Sequence, residues 1–134
     1  MAGVLDAWPR EEQAFTGQPV EADLDLRGIP RLVLHTLPGQ AAFQIHAELF
    51  DVAPDGSRTL ITRGHAGSRT AAAGRHLRLD IALRAIAYRL PAGHRFQVVI
   101  TNANPDYVVP LCTHWRARIY HEVGRESRII LPVV

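Results

Sequence analysis

Residues 43–56 read FQIHAELFDVAPDG and contain the clearest structural signal in the sequence. Apolar residues occupy every second position from Phe43 to Leu49, and polar residues occupy the positions between them. A period of two is typical of a β-strand with one buried face. In Pro54-Asp55-Gly56, proline fixes φ and glycine accepts a positive φ, so a tight turn is predicted. Residues 59–62 are then predicted to return as the second arm of a hairpin.

The same alternation recurs along the chain and predicts the fold class. Further strands are predicted at 20–27, 32–35, 77–83, 96–100, 115–120 and 128–132. The small residues of 64–74 predict an exposed loop or irregular edge, 102–110 predict a loop, and 82–87 predict at most one helical turn. About eight strands at roughly ten-residue spacing, with little helix, predict an all-β sandwich or barrel.

The apolar members of each alternation are the predicted core. A slip of one residue in register would turn all of them to solvent, so the list is a strong test of the strand assignments. The predicted inward residues are Val20, Leu24, Phe43, Ile45, Leu49, Leu79, Ile81, Phe96, Val98, Ile100 and Ile129.

Length and composition predict one domain spanning residues 1–134. The chain is 47% hydrophobic, and a chain of this length buries enough surface for a self-sufficient core. No apolar run is long enough to span a membrane, and the first residues do not resemble a signal peptide, so no membrane partner is expected. The single cysteine, Cys112, excludes an internal disulfide and a thiolate zinc site. Together these features favour a cytoplasmic location.

The charge pattern argues against nucleic acid as a partner. Fifteen basic residues, all of them arginine, are set against thirteen acidic ones. The arginines are scattered from Arg10 to Arg128, whereas nucleic-acid-binding proteins usually gather positive charge on one face.

No catalytic residue is assigned from the sequence alone. An α/β-type serine hydrolase needs its nucleophile on a G-x-S-x-G turn, and none of the three serines (Ser57, Ser68 and Ser127) lies in one. Cys112 and His114 would share one face of a strand and remain a conceivable nucleophile and base. A small buried apolar role is the favoured interpretation of Cys112.

The seven histidines suggest a metal site only weakly, and neither a metal nor a cofactor is expected. No pair has the spacing of a compact ligand motif. His35 and His46 occupy outward positions on successive strands and could face each other, but solvated surface imidazoles are the favoured interpretation. Trp115 is predicted to point inward, whereas Tyr107 lies in a predicted loop and is the better candidate for a ligand contact.

Five segments resemble, in order, those of one protein family. Residues 47–57 (AELFDVAPDGS) are similar to an L-x-D-V-x-P-D-G hairpin, and 62–64 (TRG) to the T-x-G that follows it. Residues 87–98 are similar to an H-x-F-x-x-G-H-R-L-R-L segment, 127–134 to a closing P-S-R-L-x-L-P-V, and 15–20 to the entry segment. The family is the C-terminal domain shared by X-prolyl dipeptidyl peptidases, cocaine esterase and related acyl hydrolases. The resemblance covers about residues 12–134.

The resemblance implies a jelly-roll β-sandwich of the galactose-binding-like type. In that family the catalytic triad belongs to a preceding α/β-hydrolase domain, so no triad position is carried onto this chain. The jelly roll packs on that domain and in some members helps to wall the substrate pocket. This chain departs from the family at 101–107, where TNANPDY replaces a serine-rich segment. In family members this loop can lie near the partner domain, so Asn102, Asn104 and Tyr107 are possible contacts with a ligand or partner.

Three functions compete at this stage. The first is a non-catalytic accessory domain of a serine hydrolase, partnered by an α/β-hydrolase catalytic domain in cis or in trans. The second is a free-standing module that binds carbohydrate or peptide, with a concave site near Tyr107. The third, an independent small hydrolase, is disfavoured by the missing G-x-S-x-G turn. A docking domain keeps an apolar face, so a homodimer or an exposed apolar patch is also predicted, on one sandwich face or along 101–115.

Overall fold

The computed structural model describes residues 2–6, 12–38, 43–68, 75–101, 116–122 and 125–134. These residues contain no helix and form an all-β sandwich, as the alternation predicted. The strands are β1 (Ala2–Asp6), β2 (Glu12–Thr16), β3 (Leu24–Gly28), β4 (Arg31–Pro38), β5 (Phe43–Val52), β6 (Arg58–Ser68), β7 (Leu77–Ala82), β8 (Ile86–Leu90), β9 (Arg95–Thr101), β10 (Arg116–Glu122), β11 (Arg125–Glu126) and β12 (Arg128–Ile130).

Two antiparallel sheets form the layers of the sandwich. In the first, β4 pairs with β7 along 31–36 on one side, and with β12 along 31–33 and β10 along 35–38 on the other. β1 continues this sheet beyond β10, and the short β11 pairs with the end of β10. The second sheet has the order β2-β9-β5-β6. A separate ribbon of β3 and β8 is extended by the C-terminal residues, because Leu26 bridges to Val133.

The core lies between the two sheets and contains most of the predicted inward residues. Ile45, Leu49, Ile81, Val98 and Ile100 are buried, which confirms those assignments. Val20, Leu24, Leu79, Phe96 and Ile129 are partly buried. The side chain of Phe43 lies outside the described residues.

The structure corrects the sequence reading around residues 82–87 and 64–68. No helical turn forms at 82–87; Ile86 instead begins β8. The predicted loop at 64–74 starts too early, because β6 continues to Ser68. Gly64 explains the extension, since a Cβ atom there would lie 2.9 Å from Leu83 Cδ2 and 3.0 Å from the Ala82 carbonyl oxygen. This glycine allows β6 to approach the chain that leaves β7.

The structure also corrects the interpretation of the histidines. His46 is only 1% exposed, so it is not a solvated surface group. Strands β4 and β5 belong to different sheets, so His35 does not face His46. The alternation rule assumes one wet face, whereas β5 lies between β9 and β6 and buries Gln44 and His46 on one face and Ile45 and Ala47 on the other.

Candidate functional site

One edge of the sandwich is closed by backbone hydrogen bonds between its layers. Leu83 N–H donates to the Pro30 carbonyl of the first layer at 2.9 Å, and Arg84 N–H donates to the Arg63 carbonyl of the second at 3.2 Å. The buried Thr62 hydroxyl donates to the Arg84 carbonyl at 2.9 Å. With Gly64, these residues (Thr62, Gly64, Leu83 and Arg84) form what we call the closed edge.

The opposite edge, between β2 and β12, contains an apolar groove of about 470 Å³. We call residues 15–18 and 128–131, which form its two sides, the open edge. The groove reaches the core itself. Its described lining residues are Phe15, Thr16, Gly17, Gln18, Leu32, Leu34, Phe96, Val98, Ile100, Ser127, Arg128, Ile129 and Leu131. A volume of this size lies within the range of small-ligand sites and admits apolar side chains or an apolar ligand.

Exposed apolar side chains are concentrated beside the open edge. Five large apolar residues of the described chain are well exposed, and four of them form what we call the apolar strip: Ile29, Ile130, Val133 and Val134. The strand pairing places them in one region, because Ile130 lies opposite Arg31, two residues after Ile29, and Val133 lies opposite Leu26, three residues before it. The fifth, Leu60, lies on β6 in the other layer. A clustered apolar surface of this kind marks an interaction site more often than isolated apolar residues do.

A buried carboxylate joins the ribbon to the second sheet. Asp51, only 5% exposed, accepts hydrogen bonds from the Tyr88 hydroxyl at 2.5 Å and from His94 Nδ1 at 2.6 Å. We call these three residues the Asp51 cluster. Burial, the hydrogen bond to Asp51 and the Asp51 charge together raise the pKa of Tyr88 to about 12. The resemblance included Asp51 and His94 in two of its motifs, but sequence reasoning gave them no role.

The Asp51 cluster contains a His–Asp pair but no described nucleophile on the histidine. A serine hydrolase needs a serine Oγ within hydrogen-bond reach of that ring. Ser57 Oγ instead donates to Asp55 Oδ1 at 2.7 Å, and Ser127 Oγ accepts from the His35 backbone N–H at 3.1 Å. Among the described residues, the cluster therefore joins two elements to β5: Tyr88 connects β8, and His94 connects the turn before β9.

The turns beside this cluster are tightly hydrogen-bonded. The turn at 53–57 is closed by Gly56 N–H donating to the Ala53 carbonyl, and both the hydroxyl and the N–H of Ser57 donate to Asp55. These two bonds hold the pKa of Asp55 below its usual range. Ala92 N–H donates to Asp23, which fixes the turn at 91–94.

The sequence-predicted contact residues cannot be placed in this geometry. Asn102, Asn104 and Tyr107 lie outside the described residues, as do Cys112, His114 and Trp115. His35 Nδ1 lies 2.7 Å from His76 Nε2, and His46 lies 6.0 Å from His65 between ring centroids. No group of three metal-ligating side chains occurs in the described ranges. Nor do these ranges contain a helix long and apolar enough to cross a membrane.

Fold and site together define an all-β sandwich module with one closed edge and one open, apolar edge. The chain belongs to the family of X-Pro dipeptidyl-peptidase C-terminal non-catalytic domains, whose model matches residues 4–113. The match confirms the resemblance seen in the sequence, although the closing motif at 127–134 lies beyond it. No curated protein gave a significant match.

Solved structures of larger enzymes contain the same fold. An α-amino acid ester hydrolase is similar over 92% of this chain and 25% of its own, with 18% identity and a TM-score of 0.77. An aminopeptidase from the marine sediment archaeon Thaumarchaeota archaeon is similar over 92% of this chain and 26% of its own, with 15% identity and a TM-score of 0.76. A CocE/NonD family hydrolase from Staphylococcus aureus is similar over 100% of this chain and 32% of its own, with 11% identity and a TM-score of 0.82. This chain thus spans between a quarter and a third of the enzymes it matches, and at these identities the likeness shows the fold.

Proposed function

We propose that this chain is an accessory domain that packs on an α/β-hydrolase catalytic domain, in cis or in trans, and helps to shape its substrate pocket. The observation that carries the proposal is the apolar strip. This domain exposes Ile29, Ile130, Val133 and Val134 beside a groove that opens into its core. Covering such a surface removes apolar area from water and stabilises the complex.

The docking test uses two matched substitutions and the α/β-hydrolase domain encoded in the same reading frame or a neighbouring gene. Ile130 is 48% exposed within the strip, and Leu60 is 40% exposed outside it. Ile130→Asp buries a charge in the proposed interface and should weaken co-purification at least roughly tenfold. Leu60→Asp should leave it unchanged. Equal effects of both substitutions, or no complex with the wild-type chain, would contradict the proposal.

Pocket shaping is tested by kinetics of the catalytic domain with and without this chain. We expect the isolated chain to hydrolyse neither aryl esters nor X-Pro dipeptide substrates and to take up no fluorophosphonate label. Its addition should change kcat/KM of the catalytic domain. Tyr107→Ala, with Asn102→Ala and Asn104→Ala, should alter KM without weakening the complex if the 101–115 segment contacts substrate. Unchanged kinetics on complex formation would refute pocket shaping and leave docking intact.

The groove favours a second candidate, a free-standing binding module. Its lining is mainly aliphatic and aromatic, which suits a peptide better than a carbohydrate, because sugars need several converging polar groups. This candidate predicts that the isolated chain is monomeric. The docking proposal predicts that, without a hydrolase partner, two copies cover each other's apolar strip as a homodimer. Light scattering at roughly tens of micromolar separates the two, since weak dimers dissociate in that range.

A further inference from the structure

The backbone of β12 has one edge that no strand of the described chain pairs with. Residues Arg128–Ile130 pair with β4 along 31–33. On the same side of β4, residues 35–38 pair with β10, which is in turn covered by β1. Among the described strands, the first sheet therefore has one more strand beyond β10, namely β1, and none beyond β12. A vacant strand position in a sheet offers N–H and C=O groups to any extended segment that fits it.

The groove lies directly below this vacant position. Ile129 and Leu131 form one of its sides, and the core residues Leu32, Leu34 and Val98 line its interior. Side chains of a β-strand point alternately to its two faces. A strand added beside β12 would thus point every second side chain into the groove and against the core.

The vacant position is also continuous with the surface already proposed to dock. Ile130, which lies between the groove-lining residues Ile129 and Leu131, belongs to the apolar strip. One partner surface can therefore cover the strip and enter the groove. Arg128 is the only charged residue of the described lining, so an acidic residue beside the inserted segment matches its charge.

We propose that an extended segment of the α/β-hydrolase partner adds to the edge of β12 that no described strand covers, and inserts alternate apolar side chains into the groove. The proposal rests on the proposed function and adds to it the form of the partner: a β-strand with apolar residues at every second position. Recognition of this kind takes affinity from main-chain hydrogen bonds and specificity from the side-chain sites between them.

The test uses the 134-residue chain and overlapping peptides of about a dozen residues that span the hydrolase domain, a length sufficient for one strand. Binding is measured by fluorescence anisotropy, and amide hydrogen exchange locates it. We expect at least one peptide with alternating apolar residues to bind and to slow exchange at 128–130. Added strands protect backbone amides, whereas apolar side-chain contact alone does not form these hydrogen bonds.

A groove-filling substitution provides the specific variant. Gly17 lines the groove, has no positive φ, and would place a Cβ atom no closer than 3.7 Å to the Phe96 carbonyl oxygen. Gly17→Leu should therefore fold while occupying the groove, and should weaken peptide binding roughly tenfold. Ala87→Leu, at an exposed position on β8, is the matched control and should have no effect.

Two results would overturn the strand-addition proposal. One is that no peptide slows exchange at 128–130; the other is that Gly17→Leu binds as tightly as the control. If Ile130→Asp still abolishes docking in either case, the proposed function stands and only strand addition fails. If the wild-type chain forms no complex and binds no peptide, both fail.

Discussion

The two edges of this sandwich differ in how the space between the two layers is covered. At the closed edge the chain between β7 and β8 bridges the two layers, because Leu83 donates a backbone hydrogen bond to the first layer and Arg84 donates one to the second. At the open edge no described segment crosses, and a groove of about 470 Å³ reaches the core. Among the described residues, backbone hydrogen bonds join the two layers at the closed edge but not at the open edge. This asymmetry indicates that the open edge is completed by another molecule or segment.

The Asp51 cluster and the apolar strip differ in a similar way, because the carboxylate is buried and the apolar side chains are exposed. Asp51 is covered and accepts two hydrogen bonds, whereas Ile130 and Val133 of the strip lie largely in solvent. Burying a charge is costly unless its hydrogen bonds are made, so the complete Asp51 cluster contributes to the stability of the isolated domain. The strip needs no partner for folding, and substitutions there should affect association instead of stability.

The largest stability effect is expected at the Asp51 cluster. Asp51→Ala leaves the Tyr88 hydroxyl and His94 Nδ1 without their acceptor and should lower the free energy of unfolding by about 3 kcal/mol. Urea denaturation measures the change. Asp55→Ala removes an exposed carboxylate from the neighbouring turn and should cost less than about 1 kcal/mol. Equal costs would mean that the cluster does not hold the ribbon to the sheet.

Gly64→Ala tests how tightly the closed edge is packed. Its Cβ atom would lie 2.9 Å from Leu83 Cδ2 and 3.0 Å from a backbone carbonyl, so the strands must shift. We expect a loss of about 2 kcal/mol, typical of overpacking. Gly17→Ala at the open edge meets nothing closer than 3.7 Å and should change stability by less than about 0.5 kcal/mol. A neutral Gly64→Ala would show that the closed edge is looser than described.

Thr62→Val tests one hydrogen bond of the closed edge while nearly preserving the shape of the side chain. It removes the hydroxyl that donates to the Arg84 carbonyl across the closed edge and should cost about 1 kcal/mol. Thermal denaturation of the pair Thr62→Val and Thr62→Ser separates hydrogen bonding from packing, since serine keeps the donor. If valine is the more stable of the two, the hydrogen bond contributes little.

The smallest effect is a pH dependence at high pH. The pKa of Tyr88 is about 12 in the folded chain against 10.0 for the free group. A raised folded-state pKa stabilises the protein below pH 10, and this contribution is lost as pH rises from about 10 towards 12. Near-ultraviolet titration should show a tyrosine component that ionises well above pH 10, and Tyr88→Phe should remove that component. Three tyrosines titrating together near 10 would contradict the Asp51 contact.

Sequence patterning predicted those parts of the fold in which one face of a strand is wet. The alternation in β7 located Ile81 correctly, because the other face of that strand is exposed. In β9 it located Val98 and Ile100, although Val99 between them is buried as well. It misjudged His46, because β5 is central and its second face is buried as well. β8 was missed because the short apolar run at 85–87 lacks a clear period. Its strand conformation depends on pairing with β3 and on the distant contact from Tyr88 to Asp51.

The candidate site was less predictable than the fold. The apolar strip combines residues from the β3–β4 turn, β12 and the C-terminus, which only become neighbours when β12 pairs with β4 and Val133 with Leu26. The groove is lined by residues from 15–18, 32–34, 96–100 and 127–131, which are distant in sequence and come together only in the folded sandwich. The docking prediction placed an apolar patch on a sandwich face or along 101–115. Four of the five well-exposed large apolar residues of the described chain lie in the β3–β4 turn, on β12 and at the C-terminus, and residues 102–115 lie outside the described residues.

Amide hydrogen exchange of the chain, alone and in complex with its α/β-hydrolase domain, tests the central claim most directly. It compares the open edge at 128–130 with the closed edge at 62–64 in one experiment. We predict that complex formation slows exchange at the open edge and leaves the closed edge unchanged. β12 pairs with β4 on one side and with no described strand on the other, whereas Arg63 at the closed edge already accepts a backbone hydrogen bond from Arg84. Protection confined to the closed edge, or an open edge that exchanges equally fast in the complex, would contradict the account.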